Sequence, residues 1–502
     1  MIKDGVFDMK DALKRTASRA DKIGWGVLIA SPFLLLAILS IVMKQNALSA
    51  YPVWLDELCY WRTLHSWNEM GFQTGYYGML EQAAPIGVMG TSGIGPILIY
   101  GWFVKLFGMS NHTILVANAV WCAIAAAVFC AMRKPRLRIS LMLSGMMVGF
   151  APIVLYALTS MTHCFDYALV LLYITFLLGY QEKRKVWMLV LCVLTIVLGS
   201  LYMPMYCILF LPLWLLFCRY RFGWRMVLFA IPALVISLIC CYIGMQTAAP
   251  HAQGFIYHLL RAPNFGTFIR MILSHSKSNL IDFFIRPTQS PMQDAFRCLY
   301  CGVTALCLLA TFMMTVRKDG KTKLQFGYRG PMLSCFVLLV AAFGFTILLY
   351  EANDWQDFRR LAPYLFLVVA YMLARHRTTI PSVTLAACAV VLCLLIARPE
   401  GAFLDESRFT VPESPESLPE IVASIDYEEG AEDPFRNTIR ADVASYPLLK
   451  ELDPGMGIQF GWFSTETTGK SRWILTDQLK CPVSGYENVL DTGDYKLYRQ
   501  ND

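Results

Sequence analysis

Charged residues are scarce in this sequence. Only 16% of its 502 residues are Asp, Glu, Lys or Arg, whereas 56% are hydrophobic. A soluble domain of this length would be about a quarter charged. The composition therefore predicts a polytopic membrane protein rather than a soluble enzyme.

Several catalytic and cofactor motifs are also missing. The sequence has no P-loop, dinucleotide fingerprint, HExxH, GxSxG or zinc-site spacing, and its 7 histidines are scattered. ATP-driven and NAD-dependent classes are therefore disfavoured, and no cofactor is indicated, although a divalent metal stays open. The basic residues form no stripe with interleaved aromatics, so nucleic acid is not expected as a partner.

Cysteine chemistry has little support, although the chain has 16 cysteines. Most lie inside apolar runs, where Cys behaves as a small hydrophobe. Cys298 and Cys301 have CxxC spacing but open an apolar run. The C-terminal hundred residues hold only Cys481, so no disulfide is predicted within them.

Long apolar runs alternate with basic clusters along residues 1–397. With the N-terminus in the cytoplasm, the inner loops hold 23 Lys and Arg, and the outer side holds 10, the C-terminal tail excluded. This asymmetry follows the positive-inside rule. The sequence predicts eleven spans: 23–43, 113–132, 139–158, 166–180, 186–201, 203–218, 226–245, 296–316, 332–350, 361–374 and 380–397.

Two long external loops and an external tail complete the predicted architecture. The loops cover residues 44–112 and 246–295. In the first, Leu58, Trp61 and Leu64 recur at helical spacing and predict an interfacial helix, while 96–107 is too short for a span and is interpreted as interfacial or re-entrant. The tail, 398–502, has 10 basic and 20 acidic residues and strand-like segments, which predict a small α/β domain. The fold class is thus an all-α polytopic membrane domain, 1–397, with an extracytoplasmic C-terminal α/β domain.

Three carboxylates are predicted to share the outer face of the membrane. Asp56 and Glu57 follow the first span, and Asp166 begins a later one. Acids beside a bilayer are costly unless they are solvated, paired or functional. A purely structural role is an equal alternative, because Asp is a favoured helix N-cap and Glu suits a first turn.

Basic residues on the same face suggest an anionic ligand. The second loop carries His258, Arg261, Arg270 and Lys277, and Arg359 and Arg360 begin the span at 361–374. Arginine binds phosphate through paired donors. Two alternatives are open: anionic lipid headgroups for the loop, and a surface network of Asp354 and Asp357 with the two arginines.

The arrangement resembles the GT-C superfamily of integral-membrane glycosyltransferases, most closely the protein O-mannosyltransferases and the lipid A aminoarabinose transferases. The resemblance is carried by the acidic pair, by Gly95-Pro96-Ile97-Leu98-Ile99-Tyr100, by Asp166 and by Arg359-Arg360-Leu361-Ala362-Pro363, which is similar to an Arg-Tyr-Leu-x-Pro segment. Many relatives have His or a second Pro before the Pro-rich apolar segment, where this chain has Gly-Ile-Gly-Pro at residues 93–96.

The resemblance implies a polyprenyl-phosphate-linked sugar donor and transfer on the non-cytoplasmic face, usually with inversion. By carry-over, Asp56 is the candidate general base, with Glu57 beside it and Asp166 as a second acid. The basic loop residues and Arg359 and Arg360 would hold the donor phosphate. The acceptor would be a glycan, lipid or protein.

We therefore expect a multi-pass glycosyltransferase of a bacterial plasma membrane that acts in cell-envelope glycan assembly. Membrane lipids are its other expected partners. A flippase or permease for lipid-linked glycans is the alternative, and charged residues at mid-span would favour it. A structural scaffold would account for the tail but not for the external basic loop.

Overall fold

The fold is mostly helical in the computed structural model of the chain. The structure describes residues 17–71, 77–79, 93–220, 223–248, 255–288, 290–318, 321–326, 330–350, 359–375, 406–410, 416–433, 435–441, 446–460, 470–476 and 484–501. The helices up to residue 217 are α1 Arg19–Met43, α2 Leu55–Met70, α3 Gly95–Phe107, α4 Thr113–Arg133, α5 Leu137–Gly149, α6 Ala151–Ala157, α7 His163–Lys183, α8 Val186–Tyr202 and α9 Phe210–Phe217. The later helices are α10 Trp224–Thr247, α11 Phe255–Leu260, α12 Phe265–Phe284, α13 Pro291–Phe312, α14 Gly330–Leu349, α15 Ala362–Arg375, α16 Leu418–Ala423 and α17 Tyr446–Glu451.

Six of the described helices are long and apolar enough to cross a membrane: α1, α4, α7, α10, α13 and α14. The pair α5 and α6 gives a seventh candidate that is bent by 55°. Shorter apolar helices are α3, α8, the stretch Pro204–Phe217 and α15. The first ten predicted spans fall on these helices, which confirms a multi-pass helical protein. The eleventh, 380–397, lies outside the described residues, so the count of eleven stays a prediction.

Helix α10 exposes apolar side chains almost all the way round. Only Cys240 of its 24 residues is buried. Its exposed large side chains include Val227, Leu234 and Leu238. Such a surface would be unfavourable in water but suits hydrocarbon. At the other extreme, 94% of the apolar window of α7 is buried, so α7 lies at the centre of the bundle, against α4, α8 and α15.

The predicted interfacial helix is confirmed as a helix. Leu58, Trp61 and Leu64, the residues of the helical repeat, are all buried, as is every other residue of α2 from Glu57 to Leu64. The Trp61 indole Nε1 donates to the Ser110 carbonyl at 3.0 Å, which ties α2 to the turn before α4. The segment interpreted as interfacial or re-entrant forms the 13-residue helix α3. Helix α3 packs against α2.

The predicted span 296–316 was placed too far along the chain. Helix α13 begins at Pro291 and ends at Phe312, and the next residues form strand β2 (Met313–Lys318), antiparallel to β3 (Lys321–Phe326). Met313, Met314, Thr315 and Val316 are apolar enough to extend a hydropathy window. However, Thr and Val are β-branched and favour strands.

The tail forms the expected α/β unit, but its sheet is not built from the tail alone. The strands are β1 Tyr77–Met79, β4 Thr438–Ala441, β5 Gly457–Phe460, β6 Trp473–Thr476, β7 Tyr486–Asp491 and β8 Lys496–Gln500, in the order β1-β5-β4-β6-β8-β7. Strand β1 comes from the loop 44–112 and pairs parallel with β5. The predicted domain boundary at residue 398 stays a prediction. The sheet contains strands from both sides of this boundary.

A buried arginine makes a second connection between that loop and the tail. Arg62 on α2 donates from Nη1 to the carbonyls of Leu449 and Leu452, at 2.9 and 3.1 Å, and from Nη2 to those of Asp453 and Met456. These carbonyls end α17 and begin the turn before β5, where main-chain acceptors have no helical partner. Burial lowers the pKa of Arg62 to about 10, an effect partly offset by Asp453, so the guanidinium is charged at neutral pH.

The orientation of the bundle generates a labelling prediction. A cysteine at Asp494 in the tail should react with a membrane-impermeant maleimide in intact cells, whereas one at Lys185, between α7 and α8, should react only after lysis. Both positions are exposed in the structure, so burial does not decide the result. The unmodified chain gives the background of its native cysteines. Labelling of Lys185→Cys in intact cells would overturn the predicted orientation.

Candidate functional site

Asp56 lies where α2 begins, at the end of the bundle that faces the tail. Trp54 is the N-cap and Asp56 occupies the second helical position, so the alternative in which Asp56 caps the helix is wrong. Its Oδ2 accepts a hydrogen bond from Arg359 Nη1 at 2.8 Å. The Asp56 side chain is 43% exposed and that of Arg359 is 20% exposed. A paired carboxylate with this access can receive a ligand.

Glu57, the adjacent acid, is fully enclosed. Oε2 accepts from the main-chain N–H groups of Val53 and Trp54 at 3.0 and 2.9 Å, and Oε1 accepts from that of Ser160 at 2.7 Å. Arg408 Nη1 donates to both oxygens, at 3.0 and 2.9 Å. Both oxygens of the carboxylate are therefore occupied by the protein itself.

Arg408 is a residue of the site that the sequence reading missed. It lies in a 3-10 turn, Glu406–Phe409, and is buried. Its guanidinium lies over the Trp54 ring at 4.7 Å, and its carbonyl accepts from the Tyr51 N–H at 2.8 Å. The start of the tail is thus held directly against the segment that carries Asp56. Nothing in the sequence around residue 408 signals a partner 351 positions away.

Asp166 occupies the first turn of α7, after the N-cap Thr162, so it too is not the cap itself. Its side chain is fully buried. Oδ2 lies 3.3 Å from His163 Nδ1, and the Tyr206 hydroxyl also interacts with this carboxyl group. Oδ1 is buried and has no partner within 3.5 Å. A buried carboxylate oxygen without a donor is costly. Its position at this end of the bundle leaves an acceptor open for a ligand.

Arg360 brings a second guanidinium towards Asp166. Its charge acts on both Asp166 and His163. It stacks on the Tyr350 ring at 4.1 Å. The Tyr350 carbonyl in turn accepts from Asn279 Nδ2 at 2.7 Å and lies 2.8 Å from His275 Nε2, both on α12. Helix α12 therefore fixes the main chain of Tyr350, and the ring of Tyr350 contacts Arg360.

The basic residues predicted in the second loop are less closely tied to the acids. Arg261 follows α11 and is exposed, and Arg270 and Lys277 are exposed on α12, away from the side that holds Tyr350. His258 lies in α11, and its side chain is outside the described residues, as are Asp354 and Asp357. Their phosphate-binding role stays a prediction.

Several tyrosines lie near Asp56 and Asp166. The sequence did not indicate them as site residues, because they lie within apolar runs. Tyr156 is buried, and its ring is 5.0 Å from that of His163. It also interacts with Arg359. The Tyr364 ring lies 5.8 Å from that of Tyr206, and the buried Tyr364 hydroxyl has no hydrogen-bond partner. Such hydroxyls and flat rings suit a ligand rich in hydroxyl groups.

The arrangement suits proton transfer and anion binding. Within the described parts of the chain, no group of three or more His, Cys, Asp or Glu residues could hold a metal ion. The site instead combines an accessible carboxylate with two arginines. A carboxylate can take a proton from an attacking hydroxyl, and arginines can stabilise a phosphate leaving group.

Comparison with solved structures identifies a likeness over nearly the whole chain. ArnT from Cupriavidus metallidurans, in a crystal structure bound to undecaprenyl phosphate, matches 93% of this chain and 97% of its own, with a TM-score of 0.50 and 13% sequence identity. The fold of this chain is therefore ArnT-like over nearly its whole length, in agreement with the fold that the sequence resemblance implied. No protein-family model matches the chain, and no curated protein matches its sequence.

The Glu57–Arg408 pair generates a stability prediction. Replacing Arg408 with Met leaves a buried carboxylate without its cation, which costs about 3–5 kcal/mol. The apparent unfolding temperature in detergent should fall well below that of the parent. The matched control is Arg499→Met, which breaks a surface pair with Glu487 and should cost less than about 1 kcal/mol. Equal shifts for the two variants would contradict the role given to Arg408.

Proposed function

We propose that this chain is a membrane glycosyltransferase that moves a sugar from a polyprenyl-phosphate donor to a hydroxyl of an acceptor. The ArnT-like fold supports a glycosyltransferase, and the undecaprenyl phosphate bound to that ArnT supports a polyprenyl-phosphate donor. The observation that carries the proposal is the exposed Asp56 paired with Arg359 at 2.8 Å. It combines a base and an anion-binding group in one position.

Asp56 is the proposed general base. An acceptor hydroxyl must lose its proton as it attacks the anomeric carbon, and a carboxylate within hydrogen-bond distance can take it. Of the three predicted acids, only Asp56 is both partly exposed and free of main-chain hydrogen bonds within the described contacts. Glu57 is enclosed and Asp166 is buried, so neither has comparable access.

Arg359 and Arg360 are proposed to stabilise the departing polyprenyl phosphate. The leaving group is already an acid, so cations suffice and no protonating carboxylic acid is needed. Arginine has five N–H donors. Arg359 can therefore hold Asp56 through Nη1 and offer other N–H groups to a phosphate oxygen. Arg360, stacked on Tyr350, would approach the same phosphate from the Asp166 side.

Asp166 is proposed to orient hydroxyl groups of the sugar or acceptor. Its free Oδ1 and the unpaired Tyr364 hydroxyl are buried hydrogen-bonding atoms at the same end of the bundle. A ligand hydroxyl that donates to Oδ1 would remove the cost of leaving it unpaired. This role differs from proton abstraction, so Asp166→Asn is expected to lose less turnover than Asp56→Asn.

Glu57 is proposed as a positioning residue rather than a reacting one. Its hydrogen bonds join Val53 and Trp54, just before α2, to Ser160, just before the helix that carries Asp166. Geometry of reacting groups must be held within fractions of an ångström for efficient catalysis. Glu57 thereby connects the start of α2, which carries Asp56, to the start of α7, which carries Asp166.

The chain is proposed to act at the extracytoplasmic face of a bacterial plasma membrane, in cell-envelope glycan assembly. A glycan, a lipid or a protein would supply the acceptor hydroxyl. The alternative, a flippase for lipid-linked glycans, predicts movement of an intact donor across the membrane without cleavage. Release of free polyprenyl phosphate therefore separates the two functions.

The general base is tested by Asp56→Asn. The amide has the same size and can still accept from Arg359, but it cannot take a proton at neutral pH. Turnover should fall about 10²–10⁴-fold, the usual contribution of a positioned acid or base. The measurement is release of polyprenyl phosphate from a panel of polyprenyl-phosphate sugars, by purified protein in lipid nanodiscs.

Two comparisons make the result specific to Asp56. Asp494→Asn, at an exposed position of the tail, should match the parent in both turnover and unfolding temperature. Asp166→Asn should lose less turnover than Asp56→Asn. Full activity of Asp56→Asn would remove the general-base assignment.

The phosphate role is tested by Arg360→Gln. Loss of a charge-assisted hydrogen bond costs about 1.5–3 kcal/mol, so donor use should fall roughly ten- to a hundredfold. The control is Arg286→Gln, which removes a cation from an exposed pair with Asp282. Turnover measured against donor concentration distinguishes the two variants. Parent-like donor use by Arg360→Gln would reject its contact with the phosphate.

A further inference from the structure

A basic cleft lies at the end of the bundle opposite the candidate site. The empty space at this cleft, which includes open solvent, is about 280 Å³. Its apolar floor is formed by Phe129, Ile139 and Ala374, and its rim carries Arg133, Lys134 and Arg136. These residues come from the end of α4, the start of α5 and the end of α15. Helix α4 has 21 residues, so about 30 Å separates the cleft from the Trp61–Ser110 contact at the other end.

The cleft has two cations that the protein does not neutralise. Arg133 forms a two-bond ion pair with Glu182, with Nη1 donating to Oε2 at 2.6 Å. Lys134 and Arg136 are exposed, and no acid of the described chain forms an ion pair with either. The cleft therefore has an excess of positive charge beside an apolar floor.

The main chain of the rim is held rigidly by the first helix. The Trp25 indole Nε1 donates to the Pro135 carbonyl at 2.9 Å, and Asp21 Oδ1 accepts from the Leu137 N–H at 2.9 Å. Asp21 is buried, and its other oxygen accepts from the Ser18 N–H, so its charge serves these main-chain groups. A Cβ at Gly24 would lie 3.0 Å from the Leu137 side chain, so α1 packs closely here. Lys134 and Arg136 are thus presented from a fixed loop.

We propose that this basic cleft binds the headgroup of an anionic phospholipid. The phosphate would lie between Lys134 and Arg136, and the first part of an acyl chain would contact Phe129, Ile139 and Ala374. Basic pockets between the ends of membrane helices are suited to such headgroups. The apolar floor favours a lipid over free inorganic phosphate, which has no group to place there. The cleft is distinct from the proposed donor site, which is at the other end of α4.

The test compares two double variants that remove the same charge. In Lys134→Gln/Arg136→Gln the rim of the cleft is neutral, whereas Lys183→Gln/Lys185→Gln removes two exposed cations outside the cleft, just after α7 and at its last turn. Binding of phosphatidylglycerol to the full-length protein is measured by native mass spectrometry. Each cation near an anionic lipid contributes about fivefold, so the cleft variant should lose about 25-fold in affinity. The control should lose less than threefold.

A third variant tests the floor without changing any charge. Ala374→Phe fills the apolar part of the cleft and should weaken binding of phosphatidylglycerol about tenfold or more. Inorganic phosphate at the same ionic strength should not displace the lipid. Equal losses in the two double variants would indicate diffuse attraction and overturn the proposal. Displacement by phosphate, with no effect of Ala374→Phe, would overturn it in favour of a phosphate site.

Discussion

The buried carboxylate of Glu57 is the constraint on which this end of the molecule depends. A charge removed from water is tolerated only when cations and hydrogen-bond donors replace the lost hydration. Here the replacements come from three distant parts of the chain: the residues before α2, Ser160 and Arg408. Loss of any one of these partners would leave the buried carboxylate unfavourably solvated, so the folded state requires the three parts to be in contact. Asp56 is the preceding residue on the same helical turn, so its position follows from that meeting.

The different environments of Asp56 and Glu57 follow from the position at which α2 begins. Adjacent helical residues point about 100° apart, so the two acidic side chains have different surroundings. Glu57 at the third helical position turns back to the Trp54 N–H, which satisfies a donor that the helix leaves unpaired. Asp56 is left towards the opening, with Arg359 as its partner. Two acids in sequence therefore have different environments without any difference in local composition.

Hydropathy and charge were enough to predict the helical membrane part, and the repeat of Leu58, Trp61 and Leu64 was enough to predict α2. The placement of Asp56 and Asp166 at one end also followed from the alternation of basic clusters. Arg408 could not be predicted, because an ion pair across 351 residues leaves no local pattern. Strand β2 was hidden for another reason: its apolar residues continue the hydropathy of α13, and only backbone preference separates them. Tyr364 and Tyr206 were hidden because buried aromatic residues near a site have the same composition as any core.

Strand β1 has a consequence for how the molecule is made. Its partner Ile458 is synthesised about 380 residues after Tyr77, which at typical translation rates of 5–20 residues per second is a delay of roughly 20–75 s. During that interval β1 has no sheet to join, and its three-residue length limits the unpaired edge that it offers to other chains. The sheet can close only after strand β8, which ends at Gln500, has been synthesised. Completion of this sheet therefore follows the synthesis of all the described helices of the bundle, α1 to α15.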